Sequence, residues 1–217
     1  ILEGKEVAIV EKNLKRENLE EIKKHYERLR KGNLEDALSF SQLAPLYRIT
    51  VVWEGDLALY HQQIRQRTVP QGVESIYHAA ERFKKNPEKQ VKIPPTIEEK
   101  EVERKRFLEG MEELARIYEE LETYKPSFAV NVLPQAMKIN LYAIFDGNNL
   151  FNSRFSFASR LCQCAQWDIR KKYEMTLKEL EKEFPELIEL IGPKCKHLGY
   201  CPEKHPCEKL KEYSTKS

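Results

Sequence analysis

The sequence predicts an α+β fold, an antiparallel sheet flanked by long helices, and three observations lead there. Tyr47–Trp53 and Lys138–Phe145 are short and rich in β-branched and aromatic residues, the pattern of buried strands. Each is bounded by amphipathic helical periodicity, so the chain reads helix, strand, helix, and then the same again. No internal repeat or low-complexity tract interrupts that order. The expectation is one α+β domain over residues 1–191, followed by a Cys/His-rich tail over 192–217.

Composition narrows the class of partner. Of 217 residues, 41% are hydrophobic and 33% charged, ordinary for a globular chain large enough to bury a core. Lysine and arginine number 37 against 35 acidic residues, a net charge of +2, so neither nucleic acid nor an anionic membrane is called for. No apolar run approaches the ~20 residues of a membrane span, and no signal segment leads the chain. A cytoplasmic protein is expected. The chain begins at Ile1 rather than methionine, which leaves room for an upstream segment. The Lys/Glu bias fits a thermophile and equally fits any helix-rich surface.

In chain order, Val7–Val10 reads as an edge strand. Glu11–Lys31 reads as a helix with the stripe Leu14, Leu19, Ile22, Tyr26 and Leu29, stopped by Gly32-Asn33. Glu54-Gly55-Asp56 is expected to turn the strand Tyr47–Trp53 into a helix capped by Asp56 and carrying Leu57, Leu59, Tyr60 and Ile64. Val69-Pro70 and Gly72 end it. Lys84–Pro95 is a surface connection. Thr96 is the expected cap of a long helix, Ile97–Thr123, with Val102, Phe107, Leu108, Met111, Leu114, Ile117, Tyr118 and Leu121 inward. Phe128–Leu133 is a turn before the strand Lys138–Phe145, and Asp146-Gly147-Asn148-Asn149 is a further turn. A continuous helix from Asn149 or Asn152 to Glu183 follows, then a short one from Pro185 to Ile191.

Chemistry concentrates at two places. The first helix end delivers Gln62, Gln63, Arg65, Gln66 and Arg67 to the mouth of a turn, with Ser75 just beyond. Two arginines and three glutamines there can hold a polyanion and hydrogen-bond a planar heterocycle, or simply form a solvated helix terminus. The second place is Arg160-Leu-Cys-Gln-Cys-Ala-Gln-Trp-Asp-Ile-Arg170. No Ser/His/Asp or Cys/His arrangement for nucleophilic catalysis is visible.

The second stretch resembles the C-terminal signature of the flavin-dependent thymidylate synthases, an arginine separated by four residues from Ala-Gln-Trp-Glu-Ile-Arg. Arg65-Gln66-Arg67-Thr68-Val69-Pro70-Gln71-Gly72-Val73-Glu74-Ser75-Ile76-Tyr77 then resembles the family's main motif, Arg-His-Arg-x-x-Ser-x-Asn-Glu-x-Ser-x-Arg. The resemblance covers Leu38 to Ile191. It implies bound FAD relaying a hydride from NADPH, methylene tetrahydrofolate supplying carbon, and dUMP becoming dTMP. The protein's part is then orientation and electrostatics. It also implies sites built between subunits: a homo-oligomer such as a tetramer, or a hetero-oligomer in which a related chain completes the site.

Residue by residue, the resemblance puts Arg65, Gln66, Arg67 and Thr68 on the cofactor side, the arginines against phosphate, and matches Asn149 to a flavin-binding asparagine. Gln62 falls on the nucleotide side. Ser75 lies near the pyrimidine, with a plain turn or cap hydroxyl as its other reading. Arg160 meets the uracil ring, where it can stabilise developing charge. Gln166 reads as core hydrogen bonding. The departures are specific. Gln66 stands for histidine, Pro70 for serine, and Gly72-Val73 for Asn-Glu. Tyr77 stands for an arginine that grips the dUMP phosphate, and Val130-Asn131 lack another. Ser39-Phe40-Ser41-Gln42 holds no histidine where the family has one. Two lost charge-assisted contacts, roughly 1.5–3 kcal/mol each, weaken nucleotide binding by orders of magnitude. A non-catalytic subunit that keeps the fold is therefore the alternative function.

The tail carries Cys195, Cys201 and Cys207 with His197 and His205. Cys3His is a reasonable zinc set, with His197 or His205 as the fourth ligand. A disulfide, or unpaired cysteines, are the other readings. Cys162 and Cys164 are expected to be packing residues on a helix. A metal-stapled nucleic-acid adaptor lacks the basic stripe it would need.

Overall fold

The computed structural model describes residues 2–30, 46–152, 156–208 and 211. The expected helix stop at Gly32-Asn33 and the segment Ser39–Gln42 lie outside them. The fold is α+β, as predicted. β1 (Val7–Leu14), β2 (Tyr47–Asp56), β3 (Gln71–Val73) and β4 (Lys138–Asp146) form one sheet in the order β1-β2-β4-β3. The chain divides into two compact units. The first holds Ile1–Trp53, Gln62–Gln71 and Tyr142–Ser217; the second holds Glu54–His61 and Gly72–Leu141.

In the first unit, β1 is indeed an edge strand, but it extends to Leu14 and pairs antiparallel with β2 from Val7↔Trp53 to Leu14↔Tyr47. Its outer half takes Glu11–Leu14 away from the predicted helix. A 3-10 turn, Arg16–Asn18, then precedes α1 (Leu19–Arg30). Ladder hydrogen bonds outweigh a local preference that amounts to tenths of a kcal/mol per residue.

Along β2 the alternation is clean. Tyr47, Ile49, Val51 and Trp53 are buried, while Arg48 is exposed. Trp53 stacks with Tyr173 at 5.2 Å between ring centroids, and Phe157 with Tyr173 at 4.7 Å. The Trp53 indole N–H is satisfied by Thr176 Oγ1 at 3.0 Å. Truncating such a buried ring costs about 3–5 kcal/mol. Lys172 is fully buried and is neutralised by Glu6 and Asp168.

The predicted helix from Asn149 to Glu183 is broken into three: α7 (Gly147–Phe151), α8 (Ser156–Arg160) and α9 (Trp167–Glu181). Asp146 caps α7 by accepting the Asn149 N–H at 2.9 Å, so the expected turn starts a helix. Gln166 caps α9, its Oε1 accepting from the Ile169 N–H at 2.9 Å. Its polar role is therefore local. The turn between α8 and α9 is held by Arg170 Nη1 donating to the Gln163 carbonyl at 3.1 Å. Side-chain hydrogen bonds to backbone groups, invisible to apolar periodicity, fix where α7 and α9 start.

In the second unit, Asp56 caps α2 (Leu57–Gln63) as expected, accepting from the Leu59 N–H at 2.6 Å. No turn intervenes, since β2 runs straight to Asp56. The packing at Gly55 is close: a Cβ there would stand 3.1 Å from the Leu141 and Leu59 side chains, which would have to shift slightly to admit it. α3 (Ile76–Lys85) follows β3. The long helix starts late, because Pro94 and Pro95, not Thr96, open a separate turn, α4 (Pro95–Glu98). α5 (Glu101–Tyr124) buries Leu108, Ala115 and Tyr118, but Val102 is exposed, contrary to expectation. Lys84 ties α3 to α5 through Glu122 at 2.6 Å. α6 (Pro126–Ala129) completes that unit. α10 (Pro185–Ile188) and α11 (Lys194–Leu198) belong to the first. Among the described residues no helix is long and apolar enough to cross a membrane.

Candidate functional site

The first unit gathers most of the residues singled out from sequence. α2 ends at Gln63, and residues 64–70 form a turn stitched internally by Gln66 N–H to the Gln63 carbonyl at 2.9 Å and Val69 N–H to the Gln66 carbonyl at 3.1 Å. Arg65, Arg67 and Thr68 stand exposed on it, and Gln66 is half-buried. Asn149, at the start of α7, clamps the turn. Its Oδ1 accepts from the Thr68 hydroxyl at 2.8 Å, and its Nδ2 donates to the Thr68 carbonyl at 3.2 Å. Asn149 is 1% exposed, so its amide is used inside the protein. Gln66 Nε2 donates to Ser159 Oγ at 3.2 Å, joining the turn to α8.

Arg160 ends α8 beside this turn. Its Nη2 donates to the Gln62 carbonyl at 2.6 Å, so the Gln62 backbone, rather than its amide, is the contact. The Arg160 Nε is buried with no hydrogen-bond partner among the described residues. Burial draws its pKa below the ordinary arginine value; Tyr173 opposes that, and the nearby Arg65 charge adds to it. Two neighbouring glutamines repeat the pattern. Gln63 is fully buried, its Oε1 accepting from the Tyr173 hydroxyl at 2.9 Å, while its Nε2 is unsatisfied. Gln71 Nε2 donates to the Gln63 and Gln66 carbonyls at 3.3 and 3.4 Å, while its Oε1 is unsatisfied. A buried, unmade hydrogen bond costs about 1–3 kcal/mol, and a cationic donor more. The arrangement suits a ligand bearing both negative charge and amide-like edges.

Gln71, Ser159 and Tyr173 were not singled out as site residues, and Gln63 was named only among the residues at the helix end. Gln63 was legible through helical phase: it lies four residues after Leu59, on the buried stripe, whereas Gln62 does not. Ser159 and Tyr173 gave no local signal.

Ser75 lies in the second unit, exposed at the head of α3, with no side-chain capping bond. Next to it, Glu74 receives Arg82 bidentately at 2.6 and 2.7 Å and also accepts the Asn140 N–H at 2.6 Å. Arg82 is committed to this pair. Tyr77 is 44% exposed.

Cys195, Cys201 and Cys207 line one cavity, and the expected ligand His197 does not; its Nε2 pairs with the Gly192 carbonyl at 3.1 Å. His205 is exposed. Cys162 lines that cavity of about 10 Å³ with the three tail cysteines. It lies on the turn after α8, and Cys164 is exposed, so the expected pair of helix-packing residues is corrected. All five thiols are free. Among the described residues no group of three or more His, Cys, Asp or Glu is placed to hold a metal ion as the side chains stand.

A fold of this kind has known counterparts. The family profile described as thymidylate synthase complementing protein matches residues 46–186. The chain therefore belongs to the flavin-dependent thymidylate synthase family. A protein of that name from Nitratidesulfovibrio vulgaris is 28% identical over 67% of this chain and 60% of its own length. Those from Clostridium tetani and Thermococcus onnurineus are 26% and 33% identical, covering 76% and 68% of this chain and 72% and 56% of theirs. The chain thus spans little more than half of some curated relatives. The crystal structure of thymidylate synthase X from Helicobacter pylori with FAD and dUMP superposes with a TM-score of 0.60 at 14% identity, over 85% of this chain and 97% of that one. At that identity the likeness is one of fold.

Proposed function

We propose that this chain is a flavoprotein subunit that binds FAD and dUMP and takes part in the reductive methylation of dUMP to dTMP, acting as a homo-oligomer such as a tetramer or with a related chain. The observation that carries the proposal is the set of unmade hydrogen bonds around Arg160. A buried guanidinium Nε, a buried amide N–H of Gln63 and a free carbonyl of Gln71 stand in one unit beside the exposed charges of Arg65 and Arg67. The residues present fit a nucleotide or flavin: donors for phosphate and carbonyl oxygens, and an acceptor for a ring N–H. Bound FAD supplies hydride transfer from NADPH, and methylene tetrahydrofolate supplies carbon. Arg65 and Arg67 neutralise phosphate, where a planar fork binds better than an ammonium. Arg160, held on the Gln62 carbonyl, stabilises charge on the pyrimidine. Gln66, Thr68 and Asn149 fix the turn on the cofactor side, and Ser75 serves the pyrimidine.

The visible spectrum of the purified chain, followed by a dUMP titration, tests this. A flavin spectrum that shifts on adding dUMP is the expected result. No flavin uptake after FAD is supplied would overturn it. The second reading, a non-catalytic subunit, is supported by Arg82 being engaged by Glu74 while tyrosine occupies position 77. It predicts bound flavin with no response to dUMP.

A further inference from the structure

The tail cysteines are not absorbed by that function. Cys162, Cys195, Cys201 and Cys207 come from three places in the first unit: the turn after Arg160, the first turn of α11, and the irregular stretch beyond Gly199. They line a single cavity of about 10 Å³, closed by Gln163, Pro193, Lys194, Pro202 and Glu203. That is room for one water-sized sphere. Cys195 is 7% exposed, and Cys162, Cys201 and Cys207 are half-buried.

The segment around them has little else to hold it. Between Gly192 and Glu208 the buried side chains are Pro193, Cys195 and His197. A stretch with so small a core is stapled by disulfides or metal where it is stable. Four thiols around one ion-sized space favour the metal, since a disulfide would use two and leave two.

We propose that Cys162, Cys195, Cys201 and Cys207 form a tetrathiolate site for zinc, which fastens the C-terminal segment to the turn that follows Arg160. Four thiols lose four protons to the solvent and a Zn²⁺ ion gains four sulfur ligands, with no change of oxidation state. The sulfurs draw inward on binding. Gly199 has φ +73°, a left-handed conformation that suits glycine, and it opens the irregular stretch bearing Cys201 and Cys207, so the closing movement falls on a loop rather than a helix. The exposed Cys164 is left out.

The test uses the full chain, reduced and stripped of metal, titrated with Zn²⁺ and separately with Co²⁺. One equivalent bound, with thiolate-to-cobalt charge transfer and the d–d bands of a tetrahedral site, is expected. Loss of even an outer-shell partner weakens metal sites by about 10–100-fold, so Cys162→Ser should weaken cobalt binding by at least about tenfold. Cys207→Ser, near the chain end, should do the same if Cys162→Ser fails to fold. Cys164→Ser should bind as the parent does. Unchanged affinity and spectrum in Cys162→Ser would overturn the four-sulfur assignment. Absence of metal binding with all five thiols titratable would overturn the site altogether, as would a disulfide found by mass spectrometry in the chain as isolated. None of these readouts depends on flavin or dUMP.

Discussion

The two halves of one motif have met opposite fates. In the stretch Arg65–Gln71 the arginines are exposed and unpaired among the described residues, and Gln71 keeps an unsatisfied oxygen. In the stretch Glu74–Arg82 every charge is engaged: Glu74 takes both guanidinium nitrogens of Arg82 and the Asn140 N–H. The difference teaches where a ligand can act. A bidentate pair already made gives up about as much as it would gain by switching to phosphate, whereas an orphaned donor gains the whole interaction. The first half keeps polar groups to spare, while the charges of the second are spent on the fold.

The largest effect expected is at Arg160. Arg160→Gln should weaken the dUMP response of the flavin spectrum by about 10–150-fold, the equivalent of one charge-assisted hydrogen bond. Equal binding in that variant would remove the contrast between the halves. Next, Glu74→Ala should lower stability by about 2 kcal/mol, since Arg82 and the Asn140 N–H both lose a partner. Thermal unfolding would show this as a fall of several degrees in Tm. Tyr77→Arg should sharpen the comparison from the other side, by restoring a cation where none is free and tightening dUMP by about tenfold in the same titration. A smaller loss, about 1 kcal/mol by denaturant unfolding, is expected for Thr68→Val, which removes the hydroxyl bond to Asn149.

The least effect concerns the second unit's other self-satisfied cluster, Tyr118, Glu122 and Lys84. Burial, helped by Glu122, raises the Tyr118 pKa to about 12 from 10.0. The neutral phenol is the form the fold prefers. Its contribution to stability is complete below pH 10 and fades as pH rises from about 10 to 12. Tyr118→Phe should flatten the alkaline limb of a stability profile over that window.

Much of this was legible in the chain itself. The alternation of Tyr47, Ile49, Val51 and Trp53 announced a strand with one buried face, and Asp56 announced the helix after it, because both signals are local and steric. The motif residues Arg65, Arg67 and Arg160 were visible as a resemblance, and the family they belong to is the one the chain joins. Three things were decided only in the folded molecule. The helix starts after Asp146 and Gln166 depended on which polar side chains reached which backbone groups. The choice of Gln63 over Gln62 as the buried amide depended on Tyr173, 110 residues away. Cys162, rather than His197, lines the cavity with the three tail cysteines, because the turn after α8 brings a thiol distant in sequence to the tail. Apolar periodicity reports which face is buried. It carries no information about which polar groups will find each other there, since that depends on contacts between residues far apart in the chain.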